Sequence, residues 1–198
     1  MKPILFNGPM VRAILDGRKT QTRRIIKAGP HTIVGSNVYI DHDDKARPSV
    51  VTERGGHILS PYQVGDILYV RETWCNVNKP GHEPEYYYFA DTLDSGCEDY
   101  IASEWKWRPS IHMPKKAARI FLRVTNVKAN RLTEMTEKDA KAEGARVATN
   151  MSGIMYRLDF IKIWESTLKP SDFDRYKWDA NPWVWVIEFE VAEVKDNE

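Results

Sequence analysis

Gly17-Arg18-Lys19-Thr20-Gln21-Thr22-Arg23-Arg24 is the stretch on which the rest of the chain is read. It joins a helix to a strand. Upstream, Pro9 suits the first turn of a helix, and Met10, Val11, Ile14 and Leu15 recur at helical spacing on one face. Gly17 can end that helix in the left-handed conformation, and Thr20 onward has the threonine and β-branched content of a strand running to Ile26. Within eight residues the run therefore supplies a helix stop, a lysine, hydroxyls and arginines. Residues 12–27 hold six basic side chains and one acid, Asp16. On composition alone this is a solvated basic face.

Outward from that run, strands outnumber helices. Residues 2–6, 67–70, 86–89, 120–127 and 183–191 read as strands, the last of them alternating over its second half. Helices are expected at 10–16, at 136–143, where Thr136 and Asp139 form a capping box and Gly144 the stop, and at 154–168. The irregular order has no strand–helix–strand rhythm. The expected class is α+β, a small mixed or antiparallel barrel with about three packed helices. The 198 residues suit one domain, 1–198, with inserted segments at about 28–60 and 76–116.

Twenty-nine basic and 28 acidic residues nearly cancel, so any affinity for nucleic acid has to come from local patches. One such patch is residues 105–123, which carry Lys106, Arg108, Lys115, Lys116, Arg119 and Arg123, no acid, and interleaved Trp105, Trp107 and His112. A basic, aromatic, proline-stiffened loop is suited to nucleotides. Just before it, residues 83–104 hold seven acids and no Lys or Arg.

Two cysteines, no long apolar span and no secretory h-region point to a reduced, cytoplasmic protein that does not enter a membrane. The five histidines lack ligand spacing, His42-Asp43-Asp44 matches a metal triplet only superficially, and phosphate-loop, dinucleotide and hydrolase-elbow motifs are missing. Neither a metal nor another cofactor is expected.

Four motifs in order resemble the ASCH domain: Gly17-x-Lys19-x-x-Thr22-x-Arg24, Gly65-Asp66-Ile67-Leu68-Tyr69-Val70, residues 135–144 with Glu143-Gly144 at their end, and Val184-Trp185-Val186-Ile187-Glu188-Phe189. Arg71-Glu72-Thr73-Trp74, residues 107–114 and residues 178–185 are similar to the long ASCH proteins of phages and prophages. The resemblance implies a PUA-like barrel. Short bacterial members include an amidohydrolase acting on N4-acetylcytidine, whose lysine, threonine and glutamate fall on Lys19, Thr22 and Glu143.

On that resemblance Thr22 is the nucleophile, Lys19 its base, and Glu143 an acid or the group that holds the lysine and the leaving amine. An ordinary lysine, near pKa 10.4, would have to fall by about 3 units, or about 4 kcal/mol, to serve at neutral pH. Arg18, Arg23 and Arg24 push it down and a close Glu143 opposes them. In a regular strand Lys19 and Thr22 face opposite sides, so their convergence requires Lys19 to lie in the turn or a bulge to intervene. Substrate-binding candidates are Arg18, Arg23, Arg24, Arg71, Glu72, Trp74, Trp107, Arg108, Ser110 and His112, for a nucleoside or single-stranded RNA or DNA. The alternatives are a ribonuclease and a non-catalytic RNA- or DNA-binding module.

Overall fold

The computed structural model describes residues 1–28, 32–40, 46–77, 85–93, 106–150 and 153–194. His31, His42, Asp43, Asp44, His82, Cys97, Trp105 and most of the acidic run 83–104 lie outside them.

The chain runs β1 (Lys2–Leu5), α1 (Gly8–Leu15), β2 (Gln21–Ile25), β3 (Ile33–Ile40), β4 (Ala46–Thr52), β5 (His57–Leu59), β6 (Ile67–Arg71), β7 (Trp74–Val77), β8 (Glu85–Tyr88), α2 (Phe89–Thr92), β9 (Ile120–Arg131), α3 (Glu137–Ala142), β10 (Ala148–Asn150), β11 (Gly153–Met155), α4 (Tyr156–Ser166), α5 (Phe173–Tyr176) and β12 (Trp183–Val194). The class is mixed α+β. Its largest sheet has five strands in the order β1-β6-β9-β12-β2, with β1 and β6 parallel and the β6–β9 and β12–β2 pairs antiparallel. The three helices expected from the sequence are α1, α3 and α4. The four-residue α2 and α5 and the β10–β11 hairpin were not anticipated.

The residues group into two compact units, one of Met1–Gly17, Asp66–Arg123 and Glu190–Glu198, the other of Arg18–Gly65 and Val124–Phe189. In the first, Asn7 caps α1 by accepting from the Met10 amide at 3.0 Å. Gly17 follows the helix at φ 70°, the left-handed stop its sequence position called for. Trp74, Tyr88, Met113, Ala117, Ala118 and Phe121 form an apolar cluster here.

In the second unit the segment read as an insertion at 28–60 forms an antiparallel three-stranded sheet, β3-β4-β5. Leu132, Met135, Ala140, Ala145, Phe160, Trp164, Val184 and Val186 make the core around α3 and α4, each large side chain contributing about 1.5–3 kcal/mol by leaving water. Phe160 and Trp164, four apart, are the buried stripe of α4, whereas Leu158 is exposed. Both arms of the Thr136–Asp139 capping box are made, at 3.0 and 3.1 Å, and Gly144 stops α3 at φ 86°. Helix α3 thus has a fixed start and a fixed end, and its C-cap is Glu143.

Candidate functional site

The second unit holds a buried cluster of charge built from the opening stretch of β2 and the end of α3. Lys19, 1% exposed, bridges Glu143 through the backbone, and the next amide, Thr20, donates to the Ala142 carbonyl at 2.8 Å. These contacts bring the helix end to the strand. Glu143 in the C-cap position, unfavourable for an anion next to the last carbonyls, is compensated by two cations. Lys19 Nζ lies 2.8 Å from Glu143 Oε2 and Arg23 Nη1 lies 3.0 Å from Oε1.

The ammonium is held from three sides. Besides the carboxylate it donates to the Gln21 carbonyl at 2.8 Å and the Glu143 carbonyl at 2.8 Å, which uses all three of its protons. Among the described residues strand β2 ends the sheet order and pairs with β12 alone. A Gln21 carbonyl bound by a side chain belongs to the edge that β12 leaves unpaired, so Lys19 Nζ sits in the plane of the sheet at that edge.

Burial drives the Lys19 ammonium below its usual 10.5; the charge and hydrogen bond of Glu143 oppose this, and Arg24 and Arg23 add to it. The opposition of Glu143 to Arg23 and Arg24 expected from the sequence is present, desolvation is the largest influence, and Arg18, also expected to push the lysine down, is not among the causes. Arg24 is likewise pushed down by burial against the pull of Glu143. Asp139 completes the cluster at 3.8 Å from Arg23. Burial would raise its carboxyl, but hydrogen bonds from Thr136 and the charge of Arg23 outweigh that and hold it below the usual value.

Of the residues singled out in sequence, Lys19, Arg23 and Glu143 are therefore in direct contact. Arg18 reaches the Gly144 carbonyl at 3.0 Å. Thr22 is buried and paired with Ile187. The β2–β12 register runs without a shift from Gln21 to Ile25, so Thr22 shares a strand face with Arg24 and not with Gln21 and Arg23. No bulge brings its hydroxyl toward Arg23. Lys19 Nζ at the strand edge, on the carbonyl that links Gln21 to Thr22, lies between the two faces.

Arg71, Glu72, Trp74, Trp107, Arg108, Ser110 and His112 belong to the other unit. Trp74 and Arg108 exchange backbone hydrogen bonds at 3.2 and 2.8 Å, and the Arg108 guanidinium lies 5.1 Å from the Trp74 ring centre. Trp107 sets its ring edge-on to Phe89 at 5.4 Å. Arg71 Nε donates to the Met113 carbonyl at 2.8 Å. Ser110 and His112 lie in a single 3-10 turn whose middle residue, Ile111, is 58% exposed.

Glu72 is not a surface ligand. Its carboxylate takes two bonds from Arg119, at 3.0 and 3.2 Å, and Arg119 also grips Asp91 with two bonds of 2.8 Å. Arg119 and Asp91 were missed in sequence as members of a site. The signal for them was weak: an arginine directly before the apolar run Ile120-Phe121-Leu122 has to bury its head group and so needs a carboxylate. Asp139 was read only as a cap, because its second partner is far from it in sequence. Among the described residues no group of three or more His, Cys, Asp or Glu is arranged to hold a metal. No helix among them is long and apolar enough to cross a membrane.

No family model matches the chain, and no curated protein matches it. Among solved structures it is similar to the crystal structure of protein EF3133 from Enterococcus faecalis V583, of family DUF984, at 10% identity and TM-score 0.46, over 100% of this chain and 85% of that one.

Proposed function

We propose that the chain is a cytoplasmic ASCH-type protein with a PUA-like barrel that hydrolyses the acyl amide of an N4-acylated cytidine-type base, using Lys19, Thr22 and Glu143. One observation carries the reading: a buried ammonium 2.8 Å from a buried carboxylate. One proton shared by such a pair gives either the ionic form or, after a move from Nζ to Oε2, a neutral amine beside a carboxylic acid. Desolvation favours the neutral form, and that form holds a general base and a general acid at once without any change in net charge. Arg23, 3.0 Å from Oε1, holds the carboxyl group in place beside Lys19.

The chemistry balances. The Thr22 hydroxyl oxygen bonds to the acyl carbon, and its proton passes to the neutral Lys19 amine. The C–N bond breaks as Glu143 gives its proton to the departing N4 amine. Water then cleaves the threonyl ester and releases the carboxylic acid. Purified protein incubated with N4-acetylcytidine should yield cytidine and acetate, resolved by chromatography. Lys19→Met should lower turnover by about 10²–10⁴-fold, with its fold checked by circular dichroism. Thr22→Val keeps the shape and removes the hydroxyl; turnover preserved in it would replace threonine by a water molecule as nucleophile. The absence of turnover by the native protein, or equal turnover by folded Lys19→Met, would overturn the reading.

A second reading, a nucleic-acid-binding module, is favoured by the exposure of Lys106, Arg108, His112, Lys115 and Lys116 with no acid among residues 106–116. Arg23 contributes nothing to it, because its charge is spent on Glu143. This reading predicts binding of single-stranded RNA that weakens steeply with salt, as released counterions require, and that Arg108→Ala weakens further. Affinity indifferent to salt would exclude it.

A further inference from the structure

Helix α1 begins at Asn7-Gly8, the one Asn–Gly pair in the chain, and each of the two residues is required where it stands. The Asn7 side chain caps the helix by accepting from the Met10 amide at 3.0 Å, and its carbonyl takes the first helical bond, from the Val11 amide at 2.9 Å. Gly8 is buried beside the short helix α2: a Cβ there would stand 3.2 Å from Leu93 Cδ1 and 3.3 Å from Phe89 Cδ1. An asparagine followed by a residue without a side chain is also the pair in which the next backbone amide most readily attacks the side-chain carboxamide. We infer that Asn7 is a site of spontaneous deamidation and that the cap of α1 sets its rate in the native protein.

The step needs no co-reactant but water. The Gly8 nitrogen bonds to Asn7 Cγ and loses its proton, and Nδ2 leaves as ammonia with that proton. Water then opens the cyclic imide at one of its two carbonyls. Attack at Cγ gives an aspartate at position 7, whereas attack at the main-chain carbonyl carries the chain on through Cγ as an isoaspartyl link, one carbon longer. The aspartate keeps an oxygen for the Met10 amide and adds a negative charge at the start of a helix whose first turn has no acid, which is favourable. The isoaspartyl link displaces the capping oxygen from the helix end, so the two products divide the molecules into a firmer and a looser population.

In the native fold both the backbone and the cap oppose ring closure. Asn7 is extended, with ψ 167°, which leaves the Gly8 nitrogen staggered from Cβ, whereas the five-membered ring needs the two nearly eclipsed. The bond from Met10 ties the carboxamide over the first turn. The closeness of Phe89 and Leu93 to Gly8 resists the rotation about the 7–8 peptide that closure requires. Asn7 itself is exposed, so water reaches it freely, and the reaction waits only on local opening of the helix start.

Peptide mapping by mass, with chromatographic separation of the aspartyl and isoaspartyl forms, tests this independently of the hydrolase reading, on the full chain kept in mildly alkaline buffer with and without unfolding urea. In urea Asn7 should react faster than any other asparagine. The native chain should react at the same residue at least about fivefold more slowly, the factor by which a typical cap holds its helix end closed. Leu93→Ala, which removes one of the side chains beside Gly8, should raise the native rate severalfold and leave the rate in urea unchanged. Asn7→Ser keeps a capping oxygen but has no carboxamide, and its peptide should show no change of mass. A native rate equal to the rate in urea, a native rate untouched by Leu93→Ala, or faster reaction at another asparagine in urea would overturn the inference.

Discussion

Glu143→Ala is expected to destabilise the protein by about 3–5 kcal/mol, the cost of removing one partner from a buried ion pair. The carboxylate serves two buried cations, Lys19 at 2.8 Å and Arg23 at 3.0 Å. Without it Lys19 keeps the Gln21 and Glu143 carbonyls, and Arg23 keeps Asp139 at 3.8 Å and its place 5.9 Å from the Phe160 ring centre. Urea unfolding measures the loss as a shift of the midpoint at constant slope. The double variant Lys19→Met with Glu143→Leu should recover most of it, because replacing a buried pair by apolar side chains is often neutral. A double variant no more stable than Glu143→Ala would show that the loss comes from the backbone bridge and not from the charges.

The same cluster sets the sign of two pH effects. Lys19 titrates below 10.5 in the fold, so between that lowered value and 10.5 the unfolded chain binds more protons. Stability from this group therefore rises with pH across the window. Lys19→Met should remove that alkaline rise. Asp139 titrates below its usual value in the fold, and its contribution, present above about pH 3.9, is lost as pH falls through the folded value.

Much of this cluster was legible in the sequence, for local reasons. A glycine at each helix end and the Thr136–Asp139 box are encoded within four residues, and both helices stop where those signals stand. The charged run at 18–24 was also visible as a concentration of cations. Its role was not, since a basic run reads as a solvated face, whereas Lys19 and Arg23 are buried by a glutamate more than a hundred residues away. Alternation gave the strand but not the edge: that β2 ends the sheet, which lets Lys19 reach its open carbonyls, is a property of strand order and leaves no mark on residues 19–25. The mixed sheet was expected from the irregular element order. The parallel pairing of β1 with β6 was not, because pairing partners are set by the long-range packing of apolar faces.

Arg119→Met should produce an effect of similar size in the other unit, about 3–5 kcal/mol, and should divide unequally between the two acids it holds. Glu72 is 1% exposed and takes both of its charged bonds from Arg119. Asp91 is far more accessible, with 43% of its side chain exposed, and water can replace what it loses. Asp91→Asn should therefore cost no more than about 1 kcal/mol, while Glu72→Ala leaves the cation buried over the Tyr88 ring, 3.9 Å from its centre, and approaches the cost of Arg119→Met. Burial pushes the Glu72 carboxyl above its usual range against the hydrogen bonds and charge of Arg119. A carboxyl raised in the fold binds a proton more readily than it does unfolded, so its contribution falls as pH rises from about 4.3 through the folded value. Taking Arg119 away removes the opposing charge and widens that window upward. Urea midpoints measured from about pH 4 to pH 8 should therefore fall more steeply in Arg119→Met than in the native chain, and the divergence should vanish in Arg119→Met with Glu72→Gln, where no carboxyl is left to titrate. Parallel pH profiles for the native chain and Arg119→Met would mean that Glu72 escapes to water when its partner is lost, and that Arg119 acts here as a packing element beneath Tyr88.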